Sequence, residues 1–324
     1  MFRRLAFFLV VCLMALPCAA KTTTELSVTV GKGVMAGAYW VAIDQGYFAD
    51  EGLSVKPMIY PKGYAGVEDF LAGKADLSSG NRVAFSLLPV DPEKDAVIGV
   101  LSYDTNNASI TARRDRGITN PLSLKGKTIG TTYGTTAHYW VYKWMTHYGL
   151  RVSDVKLEFA KKAQLPELIA SGKADAIAIG IDQQGKIEKV LGDNAVLFND
   201  SNIDLKQVML FASRELIRTK RAEVIAHLRA LIRAEQYIHE HPFKAAAIIA
   251  TAKNLPLEDV AKTINCSATF NLSLRQSLVT DMELIDRWAI DYQLVKRVKP
   301  RNYLDYMDYS LLEEIDPSRV TIIR

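Results

Sequence analysis

The chain has 324 residues, 40 of them Lys or Arg and 36 Asp or Glu, for a formal charge of +4. That near balance, with no basic stripe or tail, leaves nucleic-acid binding without its electrostatic footing. The length suffices for one large domain or two medium ones.

Residues 1–20 read as a cleaved export signal. Arg3 and Arg4 open it, residues 5–16 are almost wholly apolar, and Cys18-Ala19-Ala20 supplies small residues for cleavage after Ala20. The apolar run is well short of the roughly 20 residues that span a bilayer. No later segment reads as a span. Loss of Arg3 and Arg4 takes 40 basic residues to 38 against 36 acidic, a charge of +2. Cys12 and Cys18 leave with the signal. Cys266 then stands alone, forms no internal disulfide, and is expected to be a buried small hydrophobe.

Next comes an alternating strand over 25–30, then a loop and short helix within 33–46. A strand over 54–60, a helix over 63–72, a buried strand over 77–80, a short helix over 83–88 and a strand over 95–101 follow. The pattern restarts with a strand at 127–131 and a helix at 136–148. A strand at 155–159, a helix at 165–170, a strand at 174–179, a helix at 181–190 and a strand at 194–198 complete it. Strands alternating with helices are the α/β signature. From 218 onward the reading is helical: 219–239, 242–252 behind Pro242, 256–265, and 274–295. Ser273 and Gln276 form a capping box for the last of these. Its stripe is Leu278, Met282, Ile285, Trp288, Ala289 and Tyr292.

Two phrases recur. Leu71-Ala72-Gly73-Lys74-Ala75-Asp76 returns as Ala170-Ser171-Gly172-Lys173-Ala174-Asp175, its glycines 99 residues apart; Gly52-Leu53 returns as Gly149-Leu150, 97 residues apart. Each marks a Gly-stopped helix end, a turn and an apolar strand. Two units on one plan imply two lobes with a cleft between them. The division expected is 21–108 and 210–324 for lobe one and 109–209 for lobe two, with two crossings forming a hinge.

Three stretches carry a family resemblance. They are Val41-Ala42-Ile43-Asp44-Gln45-Gly46-Tyr47-Phe48, then Leu124-Lys125-Gly126-Lys127-Thr128-Ile129-Gly130 with Tyr133-Gly134-Thr135-Thr136-Ala137, and the doubled Gly-Lys-Ala-Asp. In their order and spacing the chain resembles the periplasmic solute-binding proteins of nitrate, sulfonate, taurine and thiamine-precursor ABC importers. The resemblance implies a two-lobed periplasmic binding protein fold of type II, with the helical C-terminal region packed on the first lobe. It implies a periplasmic monomer that delivers a small solute to an inner-membrane ABC permease, without cofactor or metal and without catalysis. A ligand sensor for a membrane receptor, or an enzyme like the pyrimidine-forming relatives of this fold, are the alternatives.

Tyr133, Gly134, Thr135 and Thr136 sit between a strand and a helix, where outward N–H groups and the helix dipole suit an anion or polar oxygen; ordinary N-capping is the competing use. Strand ends in open α/β sheets face the ligand crevice. Tyr39 and Trp40 in the first unit, Asn81 after Ser79-Gly80, and Asp182 after Gly180-Ile181 are therefore expected at the cleft. Tyr39 has a core face as its alternative, and Asp182 has helix capping. Tyr64, Tyr103 and Tyr133 supply flat apolar walls. The expected guest is a small organic solute: a sulfonate, carboxylate or pyrimidine-like molecule. Gly31-Lys32-Gly33 does not fit the dinucleotide spacing. His239 and His241 point apart on a helix and make no metal site. His138 and His147 read as structural.

Overall fold

The computed structural model describes residues 23–60, 63–106, 108–201 and 203–323. The expected export signal lies outside the described residues, as does the side chain of Asp182.

The first unit runs β1 (Thr24–Gly31), α1 (Gly37–Asp44), α2 (Tyr47–Asp50), β2 (Leu53–Tyr60), α3 (Gly63–Leu71), β3 (Leu77–Asn81), α4 (Arg82–Leu87) and β4 (Asp95–Asp104). A second unit follows: β5 (Ala108–Arg113), β6 (Thr128–Thr131), α5 (Thr136–His147), β7 (Lys156–Phe159), α6 (Leu165–Ala170), β8 (Ala176–Gly180), α7 (Gln184–Leu191) and β9 (Ala195–Phe198). The chain then takes β10 (Lys206–Ser213), α8 (Arg214–Thr219), α9 (Arg221–Glu240), α10 (Pro242–Lys253), α11 (Leu257–Cys266), β11 (Ala268–Arg275), α12 (Gln276–Asp291), α13 (Ser310–Ile315) and β12 (Val320–Thr321).

Two sheets result. One has seven strands in the order β12-β11-β4-β10-β3-β1-β2; the other has five in the order β7-β6-β8-β5-β9. The three large cores follow that division. One surrounds the seven-stranded sheet and takes in α9, α10 and α12. The other two lie on the smaller sheet, one around Trp140 and Trp144, the other around Leu165, Ile169 and Ile187.

The doubled phrase does the same work in both sheets. Gly73 and Gly172 end α3 and α6 in the left-handed region, at φ +74° and +73°, where a side chain would be strained. Asp76 then accepts a hydrogen bond from the Ser27 N–H at 2.7 Å, and Asp175 one from the Thr128 N–H at 2.9 Å. Each carboxylate ties the turn to the neighbouring parallel strand.

Three expectations change. Residues 108–113, for which no strand was expected, form β5, which pairs with β8 and β9. Ser273 and Gln276 do not form a capping box: Ser273 lies inside β11, and α12 starts at Gln276 with no side-chain cap. Phe270, Leu272 and Leu274 are all buried, a period of two that favours pairing with β4 over a helical turn. Cys266, expected to be buried, is exposed at the end of α11.

Candidate functional site

Strand direction locates the crevice. β1, β2 and β3 are parallel, and β10 runs antiparallel to both β3 and β4, so β4 points the same way as β3. Gly31, Tyr60, Asn81 and Asp104 therefore end on one edge. In the smaller sheet β6, β7 and β8 are parallel and β5 is antiparallel to them, so Thr131, Phe159 and Gly180 end on the edge where β5 begins. The chain crosses between these edges twice, from Asp104 to Ala108 and from Phe198 to Lys206. Two strand-end edges joined by short crossings bound a crevice of the kind in which α/β sheets hold ligands.

At that crevice the N-terminus of α5 meets α4 and α12. Thr135 caps α5, its hydroxyl accepting from the His138 N–H at 3.4 Å and donating to the Thr132 carbonyl at 2.7 Å. The N–H groups of Thr136 and Ala137 have no acceptor within the helix, as in any first turn. Gly134 takes φ +67°, and a Cβ there would lie 3.8 Å from Leu87 of α4. Its N–H donates to His138 Nδ1 at 3.3 Å, which places the ring proton on Nε2. Tyr133, half exposed, donates from its hydroxyl to the Tyr292 carbonyl at 3.3 Å.

The rings around His138 close the cluster. Its centroid is 4.8 Å from Phe159, 5.0 Å from Trp288 and 4.9 Å from Tyr292, and Trp288 is 5.3 Å from Tyr139. Among the described residues His138 Nε2, Trp288 Nε1 and the hydroxyls of Tyr139 and Tyr292 are buried without a hydrogen-bond partner. An unpaired buried donor costs about 1–3 kcal/mol. Burial pulls the His138 pKa down to about 4 and pushes both tyrosines up, so all four are neutral donors at pH 7. The cluster holds four proton donors to which the described residues offer no acceptor.

Beside it lies a buried ion network. Arg82, at the start of α4, donates to Asp204 at 2.5 Å and to Asp281 of α12 at 2.7 Å; Lys143 of α5 donates to Asp204 at 3.1 Å. The Tyr139 ring lies 5.7 Å from the Arg82 guanidinium carbon. The network joins both sheets' helices to the second crossing.

The residues expected at the cleft separate into groups. Tyr133, Gly134, Thr135 and Thr136 stand together at the α5 turn. Asn81 ends β3 on the facing edge, with its side-chain oxygen capping α4 through the Ala84 N–H at 2.9 Å. Trp40 is half-buried beneath the Lys253 ammonium, 4.4 Å from its ring centre. Tyr64 is exposed on α3. Tyr39 is wholly buried between Phe48 and His227, so it takes its core face. Tyr103 is buried too; its hydroxyl is held by Ser273 at 2.9 Å and Arg275 lies over its ring. Sequence reasoning missed His138, Tyr139, Phe159, Trp288 and Tyr292 as site residues. The available signal was Trp288 and Tyr292 closing the α12 stripe, side chains with a polar tip where Leu would serve a plain core.

The chain belongs to the NMT1/THI5-like family, whose family model matches residues 34–245. No curated protein sequence matches it. Its fold is that of the periplasmic binding proteins. It is similar to the periplasmic aliphatic sulphonate-binding protein SsuA of Escherichia coli, with a TM-score of 0.72 at 15% identity over 88% of this chain and 97% of that one. It is also similar to the periplasmic nitrate-binding protein NrtA of Synechocystis PCC 6803, with a TM-score of 0.66 at 10% identity over 91% and 89%. The desulfurization enzyme DSZB shares the fold as well, with a TM-score of 0.64 at 14% identity over 91% and 100%. Among the described residues no helix is long and apolar enough to cross a membrane.

Proposed function

We propose that this chain is the extracytoplasmic solute-binding component of an ABC importer. It captures a small organic solute in the crevice between two lobes, one built on the seven-stranded sheet and the other on the five-stranded sheet. Residues 1–20 are its cleaved leader, the periplasm is its compartment, and a permease in the inner membrane is its partner for a monomeric, non-catalytic protein. The observation that carries this reading is the buried cluster of unpaired donors at the α5 turn. A guest bearing acceptor oxygens, whether sulfonate, carboxylate or pyrimidine carbonyl, supplies what His138, Tyr139, Trp288 and Tyr292 lack. The open first turn of α5 favours a negative end.

The test is thermal unfolding with a panel of sulfonates, carboxylates and pyrimidines. A true ligand at 100 times its Kd adds about 2.7 kcal/mol and raises the midpoint. Trp288→Phe removes one donor and keeps an aromatic ring; it should weaken binding about tenfold. A panel in which no class raises the midpoint discards the reading. Chemical turnover of the bound compound would replace it with an enzyme.

A further inference from the structure

Lys253 is the last residue of α10 and is 4% exposed. Its ammonium donates to the Gly31 carbonyl at 2.8 Å, where β1 ends on the crevice edge, and lies over the Trp40 ring. Among the described residues no carboxylate pairs with it. The ionised group that bears on it is another cation, Lys32, in the loop after β1. Burial and then Lys32 pull its amine down to about 8. An ammonium has three N–H donors, and among the described residues the Gly31 carbonyl is its one hydrogen-bond acceptor. The aromatic face and the negative end of α10 offset part of the desolvation. A buried charge without a counter-charge remains costly, and a second cation nearby adds to that cost. Trp40 Nε1 is also buried with no acceptor among the described residues. The first lobe therefore holds a cation and an indole N–H at the end of β1, both short of an anionic partner.

We propose that Lys253, together with Trp40 Nε1, is the first lobe's anchor for an anionic group on the solute, which makes the cargo an organic anion. The inference rests on the solute-binding reading and narrows it from three classes to the charged ones. Sequence reading singled out Trp40 but not Lys253, because a lysine closing a helix is ordinary.

Calorimetry on the mature protein tests this with probes of one body size: butanesulfonate and butanoate as anions, butanamide as the neutral control. The anions should bind, and Lys253→Met should weaken them by about tenfold or more while Lys253→Arg retains most of the affinity. Trp40→Phe keeps the ring and loses the N–H; it should weaken the anions several-fold without altering the far-ultraviolet spectrum. Because Lys253→Met removes the tie to Gly31, the Trp40 variant keeps the test decisive should Lys253→Met fail to fold. Equal anion affinity in the wild type, Lys253→Met and Trp40→Phe overturns the anchor and leaves solute binding standing. So does butanamide binding as tightly as the anions. Binding of none of the three, with no midpoint shift from the wider panel, overturns solute binding and the anchor with it.

Discussion

His227 is wholly buried between Tyr39 and Phe48, and among the described residues neither ring nitrogen has a partner. Burial pulls its pKa down to about 3, as it pulls His138 to about 4. Both rings are neutral in the fold, whereas the unfolded chain protonates near 6.5. Stability from these residues is therefore complete above pH 6.5 and is lost as pH falls from 6.5 toward 4 and 3, on the order of 3 kcal/mol per ring. Urea unfolding at pH 7 and pH 5 should show the decline. His227→Phe should flatten it and add about 1 kcal/mol at pH 7 by removing two unsatisfied nitrogens. An unchanged slope would show that His227 does not titrate this way. The doubled Asp belongs to the same scale. Asp76 and Asp175 were legible as a repeat, yet their purpose, accepting backbone N–H groups of neighbouring strands, depends on residues 49 and 47 positions away.

The elements that sequence patterning located well are those whose signals are local. The Gly-stopped ends of α3 and α6 and the proline start of α10 need no knowledge of their neighbours. The tail shows where local signals compete. Ser273 and Gln276 have the spacing of a capping box, but Phe270, Leu272 and Leu274 have a strand's period, and pairing with β4 decides between them. The segment after α12 is held through Asp286, wholly buried, which accepts from the Arg297 side chain, from the Arg301 N–H at 2.8 Å and from the Tyr303 hydroxyl at 2.5 Å. Asp286→Asn leaves Arg297 without its counter-charge and should cost about 3 kcal/mol in chemical unfolding. A variant within about 0.5 kcal/mol of wild type would mean that apolar packing alone seats this segment.

Across the whole molecule, the Arg82–Asp204–Asp281–Lys143 network spans the crevice beside the donor cluster. Lys143 is its contribution from the smaller sheet's helices. Lys143→Met should weaken the contact between the two sheets' helices by about 1–3 kcal/mol, raising the radius of gyration in solution scattering and lowering apparent solute affinity about 5- to 150-fold. Wild-type scattering and affinity in that variant would assign the network to folding alone. The sequence by itself determined the α/β alternation, the repeated unit, and the strand-end turn at Tyr133, Gly134, Thr135 and Thr136, because hydrophobic period and glycine placement act over a few residues. Only the tertiary structure decided that Trp288 and Tyr292 close over His138, that Tyr39 and Tyr103 turn inward, that Cys266 faces solvent, and that Lys253 comes to the end of β1. Those placements follow from which helix face meets which neighbour across separations of more than a hundred residues, and an apolar stripe looks the same whichever partner it finds.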